Sequence, residues 1–331
     1  MFVIESYFIA VFFCIVTMLC WGSWSNTQKL VSTNWRFELY CWDFVNGIVL
    51  AALIFALTLG SYGDHGRSFI EDIQQSDSKS IWSAILGGII FNAANILFMA
   101  AISFAGMSVA FSVGAGLSLV LGVIVNFLDS PVGNMTLLFP GVTLIVIAIL
   151  LNARAYRKMA AGAITVSTKG LLLSICSGLL MGLYYKYVAN SMFPDPLTPL
   201  AGMLSPYTAI CFFSGGVFLS NLVLNPLMMV KPFAGPRVSF SAYFKGSWKD
   251  HFFGIFGGLV WCIGMLFSII ASYKAGAAIS YGLASGAIVV ASIWGIFVWK
   301  EFKDAAKGTQ AMLNVMLMCF FAGLLLIVFA R

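Results

Sequence analysis

Long apolar segments alternate with short polar ones along the whole chain. A helix needs about 20 apolar residues to cross the hydrocarbon core of a bilayer, and ten segments reach about that length. Their approximate bounds are 6–29, 39–60, 81–104, 107–128, 135–153, 169–189, 200–229, 251–273, 276–299 and 308–330. Very short turns join the third segment to the fourth and the eighth to the ninth. The pattern predicts an all-α transmembrane protein of ten helices.

The composition points to the same class of protein. Of 331 residues, 61% are apolar and only 9% are charged, whereas soluble proteins carry about 25% charged residues. Such a chain could not cover its own surface in water, which excludes a soluble enzyme. The net charge of +6 comes from loop residues. We therefore interpret it as setting the orientation in the membrane and not as a surface for binding nucleic acid. The predicted partner is therefore the lipid bilayer, with no nucleic acid.

The distribution of lysine and arginine predicts the orientation, because basic residues collect in cytoplasmic loops. Five of the 18 basic residues fall on one side of the predicted helices, and the other thirteen fall on the opposite side. The five are Arg67, Lys79, Lys186, Lys274 and Arg331. The thirteen-residue side should face the cytoplasm, which places both termini outside. We expect a multi-pass protein of a bacterial inner (cytoplasmic) membrane.

The two halves of the chain share a glycine and aromatic pattern at an offset of about 170 residues. Equivalent positions pair as Gly87-Gly88 with Gly257-Gly258, Gly106 with Gly276, Gly116 with Gly286, Phe91 with Trp261, and Phe111 with Tyr281. Each half has five predicted spans, an odd number, so the second half would be inverted relative to the first. The predicted organisation is a first repeat at 1–153, a cytoplasmic connector at 154–168 and a second repeat at 169–331. Close packing of unrelated membrane helices is the alternative explanation for such glycines.

The sequence offers no metal-binding pattern. Seven cysteines lie singly in apolar runs, and the two histidines, His65 and His251, fall at loop positions far apart. No group of nucleophile, acid and base is predicted at membrane depth. We therefore expect neither an enzyme nor a cofactor, and the oligomeric state stays open.

Asn92 and Asn95 are candidate substrate ligands in the third predicted span. Counting from the outer end of the span places both near the middle of the bilayer, where polar groups are costly. Each amide can donate two hydrogen bonds and accept others, which suits a neutral, hydrogen-bonding solute. The alternative is that these amides bond to neighbouring helices.

Asp43 is the clearest carboxylate inside an apolar run, about one turn from the cytoplasmic end of the second span. A proton carried inward across 100 mV releases about 2.3 kcal/mol, so a buried carboxylate could couple transport to a proton gradient. The alternative is a hydrated carboxylate paired with Arg36 or Lys29. No histidine or acidic partner is predicted for it.

Aromatic residues supply the other candidate ligands. Trp261 and Tyr281 lie in spans eight and nine, where their rings could stack on a flat solute or on the face of a sugar. Trp24, at the end of the first span, is a further candidate. Packing or an interfacial position is the alternative for each of these rings. Lys186 is interpreted as a cation whose stem reaches the headgroups.

Short motifs along the chain resemble the ureide permease family of the drug/metabolite transporter superfamily. The matching residues are Val3-Ile4-Glu5-Ser6, Gly22-Ser23-Trp24, Asp43, Asn46, Gly87-Gly88, Asn95, Gly106-Met107-Ser108-Val109, Phe127-Leu128-Asp129, Leu138-Phe139-Pro140-Gly141-Val142, Ile293-Trp294-Gly295-Ile296 and Glu301. Two features depart from the family: the connector at 156–168 is short, and residues 286–290 contain no proline. Both halves are also similar to bacterial sugar porters such as the rhamnose–proton symporter.

The resemblance implies proton-coupled uptake, with Asp43, Trp24 and Asn95 as the positions that both families support. We therefore predict proton-driven import of a small, neutral, polar metabolite, with a ureide or nucleobase as the first choice. Import of a monosaccharide is the alternative, and export of a metabolite or drug is a third possibility. The predicted substrate ligands are Trp24, Asn92, Asn95, Trp261 and Tyr281, and the predicted proton carrier is Asp43.

Overall fold

The computed structural model describes residues 1–63, 65–159, 167–233, 235–300 and 308–330. The regular secondary structure of these residues is helical, without a β-strand beyond an isolated bridge between Met192 and Leu204. The α-helices are α1 (Tyr7–Ser23), α2 (Phe37–Leu57), α3 (Phe69–Gln75), α4 (Ser78–Val109), α5 (Gly116–Asp129), α6 (Met135–Met159), α7 (Thr168–Ser191), α8 (Pro206–Val230), α9 (Trp248–Ala275), α10 (Ala277–Ala284), α11 (Ala287–Ile293) and α12 (Thr309–Val328). Trp24–Lys29 and Phe240–Lys245 form 3₁₀ helices, and Ala110–Ala115 and Trp294–Val298 form π-helical segments.

Nine helical stretches within the described residues are long and apolar enough to cross a membrane. They are Tyr7–Lys29, Phe37–Leu57, Ser78–Ile102, Met135–Ala155, Thr168–Ser191, Pro206–Val230, Trp248–Ala275, Ala277–Val298 and Thr309–Val328. A shorter apolar helix, Val113–Asp129, occupies the place of the predicted fourth span. The prediction of an all-helical, multi-pass membrane protein is confirmed. Of the predicted connector at 154–168, residues 160–166 lie outside the described part of the chain.

Capping residues set the starts of α8 and α9. The Ser205 hydroxyl accepts a hydrogen bond from the Thr208 N–H at 3.2 Å, and Pro206 takes the first helical position, so α8 begins six residues after the predicted start at 200. Ser247 and Asp250 form a capping box at the start of α9. His251 therefore lies in the first turn of a helix, and its predicted loop position was wrong.

The chain reverses direction between α4 and α5. The Ser83 hydroxyl on α4 donates to the Tyr187 carbonyl on α7 at 2.7 Å. At the other end of α4, a Cβ at Gly170 of α7 would lie 2.5 Å from the Cβ of Ala105. Early residues of α4 thus meet late residues of α7, so the two helices are antiparallel.

Helix α5 runs parallel to α7. A Cβ at Gly178 would lie 2.5 Å from the Gly114 carbonyl oxygen, just before α5 begins. At the end of α5, Lys186 of α7 forms an ion pair with Asp129 at 2.9 Å. Lys186 therefore has a specific partner, and its side chain is 35% exposed. Helices α4 and α5 form a hairpin against α7, which agrees with the short turn predicted between spans three and four.

Helices α2 and α9 cross in backbone contact. A Cβ at Gly258 on α9 would lie 2.0 Å from the Phe44 carbonyl oxygen, and a Cβ at Gly47 on α2 would lie 2.1 Å from the Ile255 carbonyl oxygen. Real Cβ atoms do not approach a carbonyl this closely, so both positions require glycine for the helices to meet. The crossing joins the first half of the chain to the second.

Helices α4 and α8 cross in the same way. A Cβ at Gly88 on α4 would lie 2.1 Å from the Phe213 carbonyl oxygen, and a Cβ at Gly216 on α8 would lie 2.1 Å from the Ile85 carbonyl oxygen. Each of these four residues stands 169 or 170 positions from its counterpart in the first crossing. The same pair of backbone contacts thus occurs twice. Helix α4 in the first half corresponds to α9 in the second half, and α8 in the second half corresponds to α2 in the first.

Both ends of the described chain lie on one face of the helix bundle, here called the terminal face. The Met1 ammonium group donates to the His65 carbonyl at 2.6 Å, and the Asn134 N–H donates to the Ala330 carbonyl. The other face, here called the basic face, includes residues 29–36, 231–233 and 235–247, where Arg36 bonds to the Pro236 carbonyl.

Candidate functional site

A cavity of about 210 Å³ lies between α1, α4, α5, α7, α9, α10 and α11. Four of the five predicted substrate ligands, Trp24, Asn95, Trp261 and Tyr281, line it together. Pockets for drug-sized ligands occupy about 300–1,000 Å³, so this space fits a smaller solute. None of the described lining residues is charged. The cavity is suited to a small neutral molecule.

Trp261 is held in a stack of aromatic rings that forms one wall of the cavity. Its ring is stacked on Trp21 at 5.8 Å and on Phe213 at 5.9 Å, and the Phe91 ring centre is 4.3 Å away. The Trp21 indole N–H also donates to the Trp261 carbonyl at 3.1 Å. Because its neighbours fix it, Trp261 presents a rigid apolar surface.

Tyr281 is tied to the helices across the cavity. Its hydroxyl lies 2.8 Å from the Ser118 hydroxyl on α5 and donates to the Met181 carbonyl on α7 at 3.0 Å. A Cβ at Gly122 would lie 2.1 Å from the Tyr281 ring, so glycine there makes room for it. The hydroxyl is therefore occupied by protein partners, and the ring is the part that faces the cavity.

Asn95 and Tyr184 bring unpaired polar groups to the cavity. Asn95 is 8% exposed and Tyr184 is 2% exposed, and neither has a side-chain hydrogen bond to another described residue. A buried polar group without a partner is costly. A solute with donors and acceptors would satisfy the Asn95 amide and the Tyr184 hydroxyl. Sequence analysis did not select Tyr184 as a ligand, because nothing in a run of tyrosines shows which one faces a cavity.

Asn92 lies outside this group. Its amide donates to the Ser220 hydroxyl on α8 at 3.0 Å, and the residue is 1% exposed. Residues three apart on a helix with 3.6 residues per turn point about 60° apart, so Asn92 faces α8 while Asn95 faces the cavity. Asn92 makes the interhelical bond that was the alternative to substrate binding.

Asp43 lies on the basic face of the bundle, where α2 meets α9. The Tyr243 hydroxyl donates to Asp43 Oδ1 at 2.6 Å, and His251 Nδ1 lies 3.0 Å from Oδ1 and 3.1 Å from Oδ2. The Asp43 side chain is 1% exposed. Burial, followed by the hydrogen bond to Asp43, raises the pKa of Tyr243, which keeps that hydroxyl a donor.

The charged partners considered for Asp43 are engaged elsewhere. Arg36 forms an ion pair with Glu38 at 2.6 Å, and the Lys29 ammonium lies 4.8 Å from the centre of the Trp299 ring. The prediction that no histidine accompanies Asp43 was wrong. The capping box before α9 was the signal that could have placed His251 on a helix, on the same face as Gly254 and Gly258.

Phe44 connects the Asp43 region to the cavity. Its ring centre is 4.6 Å from that of Trp24 and 6.5 Å from that of Trp261. Asp43 itself does not line the cavity. A movement of α2 at Asp43 would therefore shift the Phe44 ring, which contacts both Trp24 and Trp261 in the cavity wall.

A second cavity of about 550 Å³ opens near the terminal face. Its lining includes Asn126, Asn190, Ser272 and Tyr273, and the Tyr273 hydroxyl is buried with no hydrogen-bond partner among the described residues. The cavity offers polar groups between the terminal face and the interior of the bundle.

Long apolar helices around a small uncharged cavity define a multi-pass membrane protein of the transporter class. The model of the ureide permease family matches residues 40–169 and 162–330. The chain belongs to the ureide permease family, whose members are transporters and not enzymes.

Curated relatives align over nearly the full length of the chain. Ureide permease 4 of Arabidopsis thaliana is 25% identical, and the alignment covers 97% of this chain and 97% of that protein. Ureide permease 1 of Arabidopsis thaliana is also 25% identical, with 97% and 96% covered. These relatives are plant proteins, so the predicted bacterial inner membrane stays a prediction.

A solved crystal structure of a protein shares the fold. It superposes with a TM-score of 0.64 at 13% sequence identity, and the match covers 97% of this chain and 98% of that chain. At this identity the likeness concerns the arrangement of helices alone.

Proposed function

We propose that this protein carries a ureide across the membrane through the cavity that holds Asn95 and Tyr184. The observation that carries the proposal is the pairing of unsatisfied hydrogen-bonding groups with uncharged aromatic walls. Ureides are neutral molecules built from urea-like N–H and C=O groups, which match an amide side chain as donor and acceptor. The relatives' names support the same substrate class.

Within the cavity, the proposed contacts divide by chemistry. Asn95 and Tyr184 would bond to the polar edge of the solute, while Trp24 would cover its flat face. Trp261 and Tyr281 would serve as fixed walls, since packing and hydrogen bonds already hold them in place. Asn92 is not included, because its amide is bonded to α8.

Transport is proposed to proceed by rocking of two inverted five-helix repeats at 1–153 and 169–331. The two equivalent glycine crossings, α2 with α9 and α4 with α8, support this organisation. In this scheme Val113–Asp129 would be the fourth of ten spans. The basic face would lie in the cytoplasm and both termini outside, on the charge bias of the loops.

The direction is proposed to be import, driven by a proton gradient with Asp43 as a proton carrier. Its burial within α2, one residue before Phe44, whose ring contacts the cavity-lining Trp24, supports this role. No cofactor is needed in this mechanism, because the ion gradient supplies the free energy.

The test is uptake by proteoliposomes containing the purified protein. Labelled allantoin and uracil would be compared with ribose, rhamnose and glucose, with and without an inward proton gradient. Saturable uptake of a ureide or nucleobase, without uptake of sugars, is the expected result. Uptake of sugars alone would contradict the proposed substrate class.

A further inference from the structure

Among the described residues, His251 and Asp43 are the one pair of a basic and an acidic side chain that joins α2 to α9. The close contact is built into the backbone, since a Cβ at Gly254 would lie 2.4 Å from the Cβ of Asp43. The imidazole Nδ1 is within hydrogen-bond distance of both carboxylate oxygens. An ionised carboxylate can only accept, so Nδ1 must carry a proton in this arrangement.

The other ring nitrogen of His251 lies toward the basic face. The His251 side chain is 24% exposed, whereas the Asp43 side chain is 1% exposed. Nε2 has no hydrogen bond to another described residue, and it lies beside Gly246, where a Cβ would be 2.7 Å away. A proton arriving from the basic face therefore reaches Nε2 first.

The equivalent crossing of α4 and α8 carries no such pair. The positions that correspond to His251 and Asp43 there are Ile81 and Phe212, both apolar. The backbone contacts of Gly258 and Gly47 recur there at Gly88 and Gly216, although Ala84 stands in the place of Gly254, so two helices can cross in this way without an ionisable pair. The Asp43–His251 pair is therefore not a requirement of the packing and calls for a functional reason.

We propose that His251 and Asp43 together form the proton-binding site of the transporter. This inference rests on the proposed function and adds the residue that receives the proton. A proton binds at Nε2 of His251, and the Nδ1 proton passes to the Asp43 carboxylate, which leaves a neutral imidazole and a neutral acid. The site thus carries one negative charge without the proton and none with it.

The change of charge explains how the site would couple to movement of α2 and α9. Moving an unpaired charge away from water is costly at membrane depth. Only the protonated, neutral site can be enclosed freely, so closure at the basic face would require a bound proton.

The surroundings of His251 contain few other ionisable groups. Asp43 faces it from α2 and Tyr243 from the 3₁₀ helix Phe240–Lys245, and Asp250 precedes it on its own helix. Asp250 bonds to the Ser32 N–H at 2.7 Å and to Ser247, and the ring of Trp35 lies at 4.9 Å.

The chain allows a matched test, because it has only two histidines. His251→Gln removes the proposed proton acceptor, while His65→Gln removes a histidine at the terminal face, 3.6 Å from Glu5. Proteoliposomes would be assayed for accumulation of labelled allantoin under a proton gradient and for exchange of allantoin at equal pH. Asp43→Asn serves as a second variant.

Wild type and His65→Gln should accumulate allantoin above equilibrium. Asp43→Asn makes the site permanently neutral, so this variant should lose accumulation at least tenfold while it still exchanges allantoin. In His251→Gln the Asp43 carboxylate keeps its charge without the proton acceptor, so accumulation and exchange should both fall at least tenfold. Thermal unfolding in detergent, compared with that of wild type, shows whether the variants are folded. Gradient-driven accumulation by His251→Gln at the wild-type level would overturn the inference and leave the proposed function standing. Wild-type exchange without any gradient-driven accumulation would overturn proton coupling. Absence of both activities in wild type would contradict the proposed function itself.

Discussion

Gly258 of α9 packs directly against the carbonyl group of Phe44 on α2. A Cβ at position 258 would lie 2.0 Å from that oxygen. Asp43 precedes Phe44 in the chain, and the Phe44 ring contacts Trp24, which lines the cavity. The packing of two backbones thus brings together groups that are 200 or more positions apart in the chain.

Gly258→Ala should destabilise the protein strongly, because the added methyl group must push α2 and α9 apart. Overpacking of this kind costs about 1–3 kcal/mol or more. Gly215→Ala on α8 is the control, since a Cβ there meets nothing within 4 Å and alanine favours a helix. Thermal unfolding in detergent measures both. Equal stability of the two variants would contradict the close contact.

Asn95→Ala should weaken ureide binding and so reduce uptake. Asn92→Ala should leave the affinity for the ureide unchanged. Loss of one or two hydrogen bonds to the solute, at about 0.5–1.5 kcal/mol each, predicts a rise in KM of about tenfold for Asn95→Ala. Asn92→Ala instead removes the bond to Ser220 and should lower thermal stability. Uptake kinetics and unfolding of the two variants separate the roles; the reverse pattern would show that Asn92 is the ligand.

Tyr184→Phe and Tyr281→Phe should have opposite effects. The Tyr184 hydroxyl has no partner among the described residues, so its removal should not lower stability but should raise KM for the ureide. The Tyr281 hydroxyl bonds to Ser118 and Met181, so its removal should lower stability by about 1–3 kcal/mol. Unfolding and uptake measured on both variants provide the check. A stability loss in Tyr184→Phe would reveal a protein partner for that hydroxyl.

Arg67→Ala should destabilise the terminal face more than Lys186→Ala does. Arg67 pairs with Asp72 at 2.9 Å, and the Asp72 side chain is fully buried, so the variant leaves a buried carboxylate without its cation, at a cost of up to about 3–5 kcal/mol. Lys186 and Asp129 are 35% and 29% exposed, and such pairs contribute about 0–1 kcal/mol. Proteolysis of the terminal-face loops and thermal unfolding would measure the difference. Similar losses would mean that solvent reaches Asp72.

Sequence alone determined the class of protein, because crossing a bilayer requires long apolar helices and this requirement is visible in each segment separately. The same local physics placed most helix bounds within a few residues and located Asp43 inside a span. Short motifs were enough to indicate the ureide permease family. Four of the five substrate candidates also lie on one cavity, since aromatic and amide side chains within spans are uncommon enough to stand out.

Only the tertiary structure decided which of these side chains are free to bind. Asn92 and Asn95 have the same chemistry and nearly the same position, but one faces Ser220 and the other faces open space. Tyr184 and Tyr281 both line the cavity, but only the Tyr281 hydroxyl is hydrogen-bonded to other described residues. His251 became the neighbour of Asp43 through the glycine contact of α2 with α9, across 208 positions of sequence. Hydrogen bonds and burial depend on contacts between distant segments, and no local pattern in the chain contains that information.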